Sequence, residues 1–419
     1  MKLSYNNKKA KNFLLYTASQ FICKGISFFT IFYLARHLSV EVYGKYVYIN
    51  TIISYLLLAV NFGFDIYFAE KVVNNEISLD RALSIQILSR VITFLLILII
   101  SVLVILYYHY YLHGKELEKT SLFLFFILVF KVFLFSTDIF WLYRINELFM
   151  KIAGVEISSY ILRLFAILTF ISDDRDVIKL AIIDVILDFI IKAYLIKPYI
   201  KNFRLFSFNV KDVFYTIKES ILISLSYFMI NIYYNLDSLM LGYFKGSYTV
   251  GIYSAAYNFN LLAIVPTNIL FQVYLKELVL NKDSKYVYYK YVKHTMLLSI
   301  IIFILLFVFS RYLILITYGE KYSESIPVLK LLSFNVLSSY AAGAFANLIN
   351  VWGYYKDYLF IVSMGALTNF IGNLIFIPKY GITAAIATTI ISEIAVFTLA
   401  FFWSVRHFNI MEARNHAKQ

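Results

Sequence analysis

Phe94-Leu-Leu-Ile-Leu-Ile-Ile100 is an unbroken apolar run, with none of the apolar–polar alternation that marks a membrane strand. Followed outward, it covers 83–108, longer than the roughly 20 apolar residues a bilayer-spanning helix needs. The same reading places spans at 12–35, 46–69, 121–142, 152–171, 177–197, 219–242, 250–275, 294–317, 326–350, 358–378 and 382–405, twelve in all. With 61% hydrophobic and 15% charged residues and a mean hydropathy of +0.74, the chain lies outside the range of soluble domains. The expected fold class is an all-α integral membrane protein with twelve transmembrane helices.

Charge sets the orientation. The formal +13 does not signal nucleic acid, because the basic residues alternate from one connection to the next. Connections on the side of Lys2, Lys8, Lys9 and Lys11 carry roughly twice the Lys and Arg of the other side, the positive-inside pattern. Both termini are therefore expected in the cytoplasm. The first apolar run continues to Ala35 without a small-x-small cleavage pattern and reads as a retained helix. Cys23, the single cysteine, leaves no intramolecular disulfide to expect. The most polar connection, Pro198 to Lys218, divides the chain into a six-helix lobe at 1–200, a cytoplasmic linker at 201–218 and a second six-helix lobe at 219–419. The halves echo each other: Leu34-Ala-Arg-His-Leu-Ser-Val-Glu-Val-Tyr-Gly-Lys-Tyr46 corresponds to Leu241-Gly-Tyr-Phe-Lys-Gly-Ser-Tyr-Thr-Val-Gly-Ile-Tyr253. Two halves of equal orientation fit a repeat about an axis along the membrane normal.

Lys24, Arg90, Lys131, Arg163 and Lys192 fall inside apolar runs. A charge at the centre of a bilayer costs about 2.5–3.5 kcal/mol on insertion scales, so such groups face a polar cavity or a partner. Thr17, Gln20, Lys24 and Ser27 share one helical face, as do Asn50, Ser54, Asn61 and Asp65. Lys131 and Asp138 are two turns apart, as are Glu156 and Arg163. Lys24, Arg163 and Lys131 read either as cations of a water-filled cavity or as charges neutralised within a packed bundle. Arg90 reads as a snorkelling residue or a guard of the cytoplasmic mouth. Lys192 follows Asp188 by four residues, and an Asp–Lys pair is its expected fate. Asn231 and Asp237 lie in a span rich in Tyr and Asn, groups that suit sugar recognition or helix packing alike. Pro266, inside a span, removes a helix hydrogen bond and marks a hinge or a fixed bend. Neither a phosphate-cradling Gly loop nor a nucleophile–His–acid set nor a cluster of metal ligands occurs, so no enzyme, catalytic residue, metal or cofactor is expected.

Several stretches carry a likeness to a known family. They are Ala35-Arg-His-Leu-Ser-Val-Glu-Val-Tyr-Gly-Lys-Tyr46, Asp237-Ser-Leu-Met-Leu-Gly242 with Val250-Gly-Ile-Tyr-Ser-Ala-Ala-Tyr257, Tyr318-Gly-Glu-Lys-Tyr322, and Ile377-Pro-Lys-Tyr-Gly-Ile-Thr-Ala-Ala-Ile-Ala387. In order and spacing the chain resembles the polysaccharide and O-antigen flippases of the superfamily that also contains multidrug extruders. In the first stretch the family usually has Leu-Gly, where this chain has Leu38-Ser39. The resemblance implies two lobes around a central cavity in a bacterial inner membrane. It implies transfer, by alternating access, of an undecaprenyl-diphosphate-linked O-antigen or capsular repeat unit to the outer leaflet. Membrane lipids, a glycan polymerase and the chain-length machinery are the other implied partners.

In that frame Lys24, Arg163, Lys131, Arg90, Gln20, Asn61 and Asn231 are the candidate substrate contacts. Asp65, Asp138, Asp237 and Pro266 are the candidates for gating or for coupling to Na⁺ or H⁺. A drug or cation extruder would need a net acidic cavity, which the buried basic residues oppose. A membrane glycan polymerase would need a sizeable external loop, which the chain does not show.

Overall fold

A computed structural model describes residues 2–111, 119–202, 210–281 and 284–416; within them the side chains of 2–14, 17, 104–111, 202, 210, 222, 226–227, 229–234 and 409–416 fall outside the description. The described residues form helices without a strand: α1 Lys2–His37, α2 Val40–Asn61, α3 Phe64–Val73, α4 Leu79–Tyr111, α5 Lys119–Phe135, α6 Phe140–Ile145, α7 Phe149–Phe170, α8 Val177–Ile196, α9 Val210–Lys245, α10 Ser247–Leu280, α11 Lys285–Thr317, α12 Ser325–Val351, α13 Tyr355–Tyr380 and α14 Ile382–His416. Nine stretches among the described residues are long and apolar enough to cross a bilayer. The expected span at 177–197 is α8, where Lys179, Asp184, Asp188 and Lys192 interrupt the apolar run.

Two expected spans are broken helices. The one at 46–69 splits into α2 and α3 at Phe62 and Gly63, whose φ angles are 45° and 75°. Such angles end a right-handed helix, and Gly adopts them without the Cβ clash that other residues meet. The one at 121–142 stops at Phe135; Ser136, Thr137 and Asp138 follow as a turn, and Asp138 Oδ1 accepts the Phe140 amide at 3.0 Å to start α6. A short polar side chain that captures a backbone amide competes with helix continuation.

The chain separates into two compact units, Met1–Ser39 with Ile49–Phe228, and Val40–Tyr48 with Met229–Gln419. These limits differ from the sequence-based partition: Val40–Tyr48 joins the second unit and the first extends to Phe228. In the first unit α1 packs on α7, and α5 and α7 pack on α8. Its core is aromatic, with Phe64, Phe68, Trp141 and Tyr143 buried around Leu83 and Ile152. In the second unit α12 packs on α10, α11 and α14, and α14 on α13. Tyr291, Phe345 and Trp352 anchor the core there.

The echoed motifs touch each other inside the second unit. A Cβ at Gly44 would lie 1.9 Å from the Ser247 carbonyl oxygen, and one at Gly251 would lie 2.3 Å from that of Val40. The contact is reciprocal, each motif setting its glycine on the other's helix start. Hydrogen at Cα is what lets the two backbones approach so closely. The internal repeat is thus a packing interface as well as a sequence pattern.

Candidate functional site

A cavity of about 310 Å³ in the first unit is lined by Lys131, Arg163 and Lys192, by Asp138, Glu156 and Asp188, and by the rings of Phe135, Phe140 and Tyr160. Its charged side chains come mostly from three helices: α5 brings Lys131, α7 brings Glu156 and Arg163, and α8 brings Asp188 and Lys192. The break before α6 supplies Asp138. A continuous helix would have carried Asp138 on the Lys131 face; the turn instead fixes its carboxylate against the Phe140 amide.

Most of these charges are satisfied within the chamber wall. Arg163 Nε donates to Asp184 Oδ1 at 2.7 Å, and the Asp184 side chain is fully buried. Lys131 Nζ stands 3.6 Å from Asp188 Oδ2. Glu156 accepts a hydrogen bond from the Gln20 amide of α1. Lys192 is different. It is buried, and its Nζ lies 5.0 Å from the Phe135 ring centroid. Among the described residues no carboxylate oxygen comes within 4.0 Å of it. The expected Asp188–Lys192 pair is therefore not formed, because Asp188 turns to Lys131 across the helix interface. A cation–π contact offsets about 0.5–2 kcal/mol, less than the several kcal/mol that burial of an unpaired ion costs.

Arg90 has another role. Fully buried, it donates from Nη2 to Asn61 Oδ1 at 2.8 Å and to Asp65 Oδ1 at 2.6 Å, and from Nη1 to the Asp138 carbonyl at 2.6 Å. Its guanidinium lies 4.8 Å from the Phe135 ring centroid. Gln86 adds a 3.1 Å bond to Asp65 and accepts one from the Trp141 indole at 2.8 Å. The structure thus brings Asn61, Asp65, Asp138 and Arg90 together, but as a brace across both helix breaks. Lys24 is exposed on α1 and is not among the residues lining the chamber. The side chain of Asn231 lies outside the described residues.

In the second unit Asp237 is buried among neutral donors. Its Oδ2 accepts from the Tyr253 hydroxyl at 2.6 Å and the Thr389 hydroxyl at 2.8 Å, while Oδ1 accepts from Asn373 at 2.6 Å and Asn369 at 3.5 Å. Among the described residues no basic side chain pairs with it. Pro266 sits inside α10, and the Tyr340 hydroxyl caps the nearby Ala263 carbonyl at 2.5 Å. Such a side chain satisfies a backbone group loosened by a proline in a membrane helix. A second polar cavity, of about 270 Å³, adjoins it and includes Thr267, Asn268, Asn347 and Glu393. Sequence reasoning gave no role to Tyr253, Thr389, Tyr340 or Gln86. A hydroxyl or an amide in an apolar run carries no mark of the residue it will meet.

Membrane-length helices, two of the expected spans broken and a charged chamber among the helices of the first unit, define a multi-pass membrane protein. A lipid II flippase MurJ in an inward closed conformation superposes with a TM-score of 0.72 at 16% identity, over 94% of this chain and 87% of that one. An inward-facing multidrug resistance MATE family transporter of the MOP superfamily gives 0.65 at 12% identity, over 93% and 95%. An outward-facing transporter of the same description gives 0.57 at 14% identity, over 97% of each chain. Comparison with curated proteins gives no match. Residues 10–275 match the family described as polysaccharide biosynthesis protein. The chain belongs to that family.

Proposed function

We propose that this protein is a flippase that carries an undecaprenyl-diphosphate-linked O-antigen or capsular repeat unit from the cytoplasmic to the outer leaflet by alternating access. One observation carries the reading: a chamber between α5, α7 and α8 in which Lys192 is buried with no carboxylate within ion-pair distance among the described residues, beside Lys131 and Arg163. A diphosphate entering it would give Lys192 its counter-ion, and would compete with Asp188 and Asp184 for the other two cations. Tyr160 and Phe140 offer ring faces, and Glu156 with Gln20 offers hydrogen-bonding groups, for the sugars next to the diphosphate. The MurJ-like fold and the polysaccharide family support a lipid-linked glycan as cargo. An inside-negative potential favours outward movement of an anion by about 2.3 kcal/mol per charge per 100 mV.

Coupling to Na⁺ or H⁺ would act at Asp237. A buried carboxylate held by four neutral donors can take a proton without losing an ion pair. It can equally take a cation if the Asn369 and Asn373 amides turn their oxygens inward, since amide orientation is assigned from the hydrogen-bond network. Pro266, with Tyr340 relaxing the backbone beside it, is the matching hinge.

The test is complementation of a deletion strain with Lys192→Gln and Arg163→Gln. Loss of surface glycan at normal membrane abundance is expected; wild-type glycan from both variants refutes the cationic site. A drug extruder is the second reading, favoured by Asp138, Glu156 and Asp188 in the same chamber. It requires that deletion sensitise cells to lipophilic cations.

A further inference from the structure

Beside the charged chamber runs a larger groove, of about 470 Å³, on the outer side of α7 and α8. Its wall is mostly apolar, with Met150, Leu162, Leu187 and Ile190 around the small residues Gly154 and Ser158. Met150, Leu162, Ile190 and Tyr194 are each about half exposed, so the groove opens along its side to the protein surface. From 150 to 162, at the helical rise per residue, it runs about 18 Å along α7.

Two features give it a direction. At one end stands Lys151, its Nζ 4.9 Å from the Tyr143 ring centroid, 5.6 Å from that of Tyr194 and 3.5 Å from the Tyr143 hydroxyl. Among the described residues it has no carboxylate within 4.0 Å. Along its length Val155, Ser159 and Ile191 belong to the wall of the groove and to that of the charged chamber. A partition one side chain thick therefore separates an apolar trough with a cation at its mouth from a polar chamber with cations inside.

We propose that this groove is a binding site for the isoprenoid tail of a polyprenyl diphosphate, with Lys151 attracting the diphosphate at the mouth. The proposal rests on the flippase reading for the choice of an isoprenoid over a fatty acyl chain. A long chain, a single anionic head and lateral access from the membrane match the three properties of the groove: apolar length, one ring-held ammonium and an open side. An ordinary phospholipid would fill the trough without needing the cation or the adjoining chamber. A tail docked here keeps its head within reach of Lys131, Arg163 and Lys192 while the chain stays in the hydrocarbon.

The test uses the full chain in nanodiscs and a diazirine-bearing polyprenyl diphosphate, with adducts mapped by mass spectrometry. Labelling is expected on peptides containing 150–162 and 187–194, chased by unlabelled polyprenyl diphosphate and not by excess phosphatidylglycerol. Gly154→Leu enters the trough from a position where a Cβ meets nothing within 4 Å, and its melting temperature is measured beside the wild type's. It and Ser158→Leu should each lower labelling about tenfold. Gly25→Leu, equally unobstructed and absent from the groove wall, should not lower it. Lys151→Gln should weaken labelling by the diphosphate more than by an uncharged polyprenol probe.

Adducts elsewhere, equal displacement by phosphatidylglycerol, or full labelling of both leucine variants overturns the proposal. Failure of the flippase reading is distinguishable. Groove labelling in a protein that restores no surface glycan refutes that reading alone. Normal glycan export without groove labelling refutes the groove alone.

Discussion

Replacing Gly44 by alanine tests the most specific piece of packing in the molecule. The added Cβ would sit 1.9 Å from the Ser247 carbonyl oxygen and 2.6 Å from the Gly251 amide nitrogen, where real Cβ contacts essentially never fall below 3.0 Å. Both neighbours are backbone, so no side chain can rotate away, and the helix starts must part by about an ångström in a close-packed interior. Overpacking of this kind costs about 1–3 kcal/mol, and here the upper end is expected because relief requires moving whole helices. Gly251→Ala, 2.3 Å from the Val40 carbonyl, should cost a similar amount. The double variant should cost less than the sum, since one separation relieves both clashes. Gly343→Ala is the opposite case. It meets nothing within 4 Å, lies within α12, and should gain up to about 1 kcal/mol from the lower entropy of the unfolded chain. Thermal unfolding of detergent-purified protein, followed by monodisperse recovery, reads all four. A Gly44→Ala protein that melts with the wild type, or strictly additive losses in the double variant, would refute the reciprocal contact.

Other outcomes follow from single groups. Lys192→Gln should lower apparent affinity for polyprenyl diphosphate about tenfold or more, the loss of a charge-assisted hydrogen bond worth about 1.5–3 kcal/mol, while raising the melting temperature of the empty protein by removing an unpaired buried charge; binding and thermal unfolding of purified protein check it. Arg90→Leu should destabilise the protein by about 3–5 kcal/mol by leaving Asp65 uncompensated, and Asp65→Asn in the same background should recover part of the loss in thermal unfolding. Asp237→Asn should abolish any shift of melting temperature by Na⁺ and any dependence of transport on Na⁺ or pH while the protein still folds; retained ion-dependent transport would move the coupling site elsewhere. In the connection before α8, Lys179 at 2.6 Å and the Ser172 amide at 2.9 Å hold Asp176 down to about 2. The unfolded value is near 3.9. A depressed carboxyl contributes its stability above the unfolded value and loses it as pH falls through the folded one. The melting deficit of Asp176→Asn should thus be constant at neutral pH and vanish between about pH 4 and pH 2.

What could be read from sequence divides by physical cause. Continuous apolar runs announced the helices because bilayer length is a property of a segment alone. The break at Phe62–Gly63 is marked by Gly63 between Asn61 and Asp65, polar residues whose spacing reads equally well as one face of a continuous helix. The turn at Ser136-Thr137-Asp138 carried a polar triplet that also reads as a helix face. Charge pairing was legible as a need and illegible as an assignment. Spacing along α8 favours Asp188 with Lys192, yet Asp188 meets Lys131 of α5, and which residues meet across two helices depends on a rotation no single segment encodes. The same limit hid the partners of Asp237, drawn from α10, α13 and α14.

The balance of charge in the chamber bears on release as much as on binding. Three unpaired cations would hold a diphosphate tightly and, when empty, would each carry a burial cost of about 2.5–3.5 kcal/mol. Here Arg163 and Lys131 keep internal carboxylates at Asp184 and Asp188, so a ligand gains from them only the difference between a phosphate and a carboxylate partner. Lys192 alone offers a full new ion pair. Under the flippase reading this makes affinity moderate and exchangeable. When the head leaves, Asp184 and Asp188 reclaim their cations, and the empty carrier can return without several unpaired charges in the membrane. Neutralising Asp188 by Asp188→Asn should therefore tighten polyprenyl diphosphate binding while slowing export. A variant that binds more weakly would show that the carboxylate serves the ligand rather than competing with it.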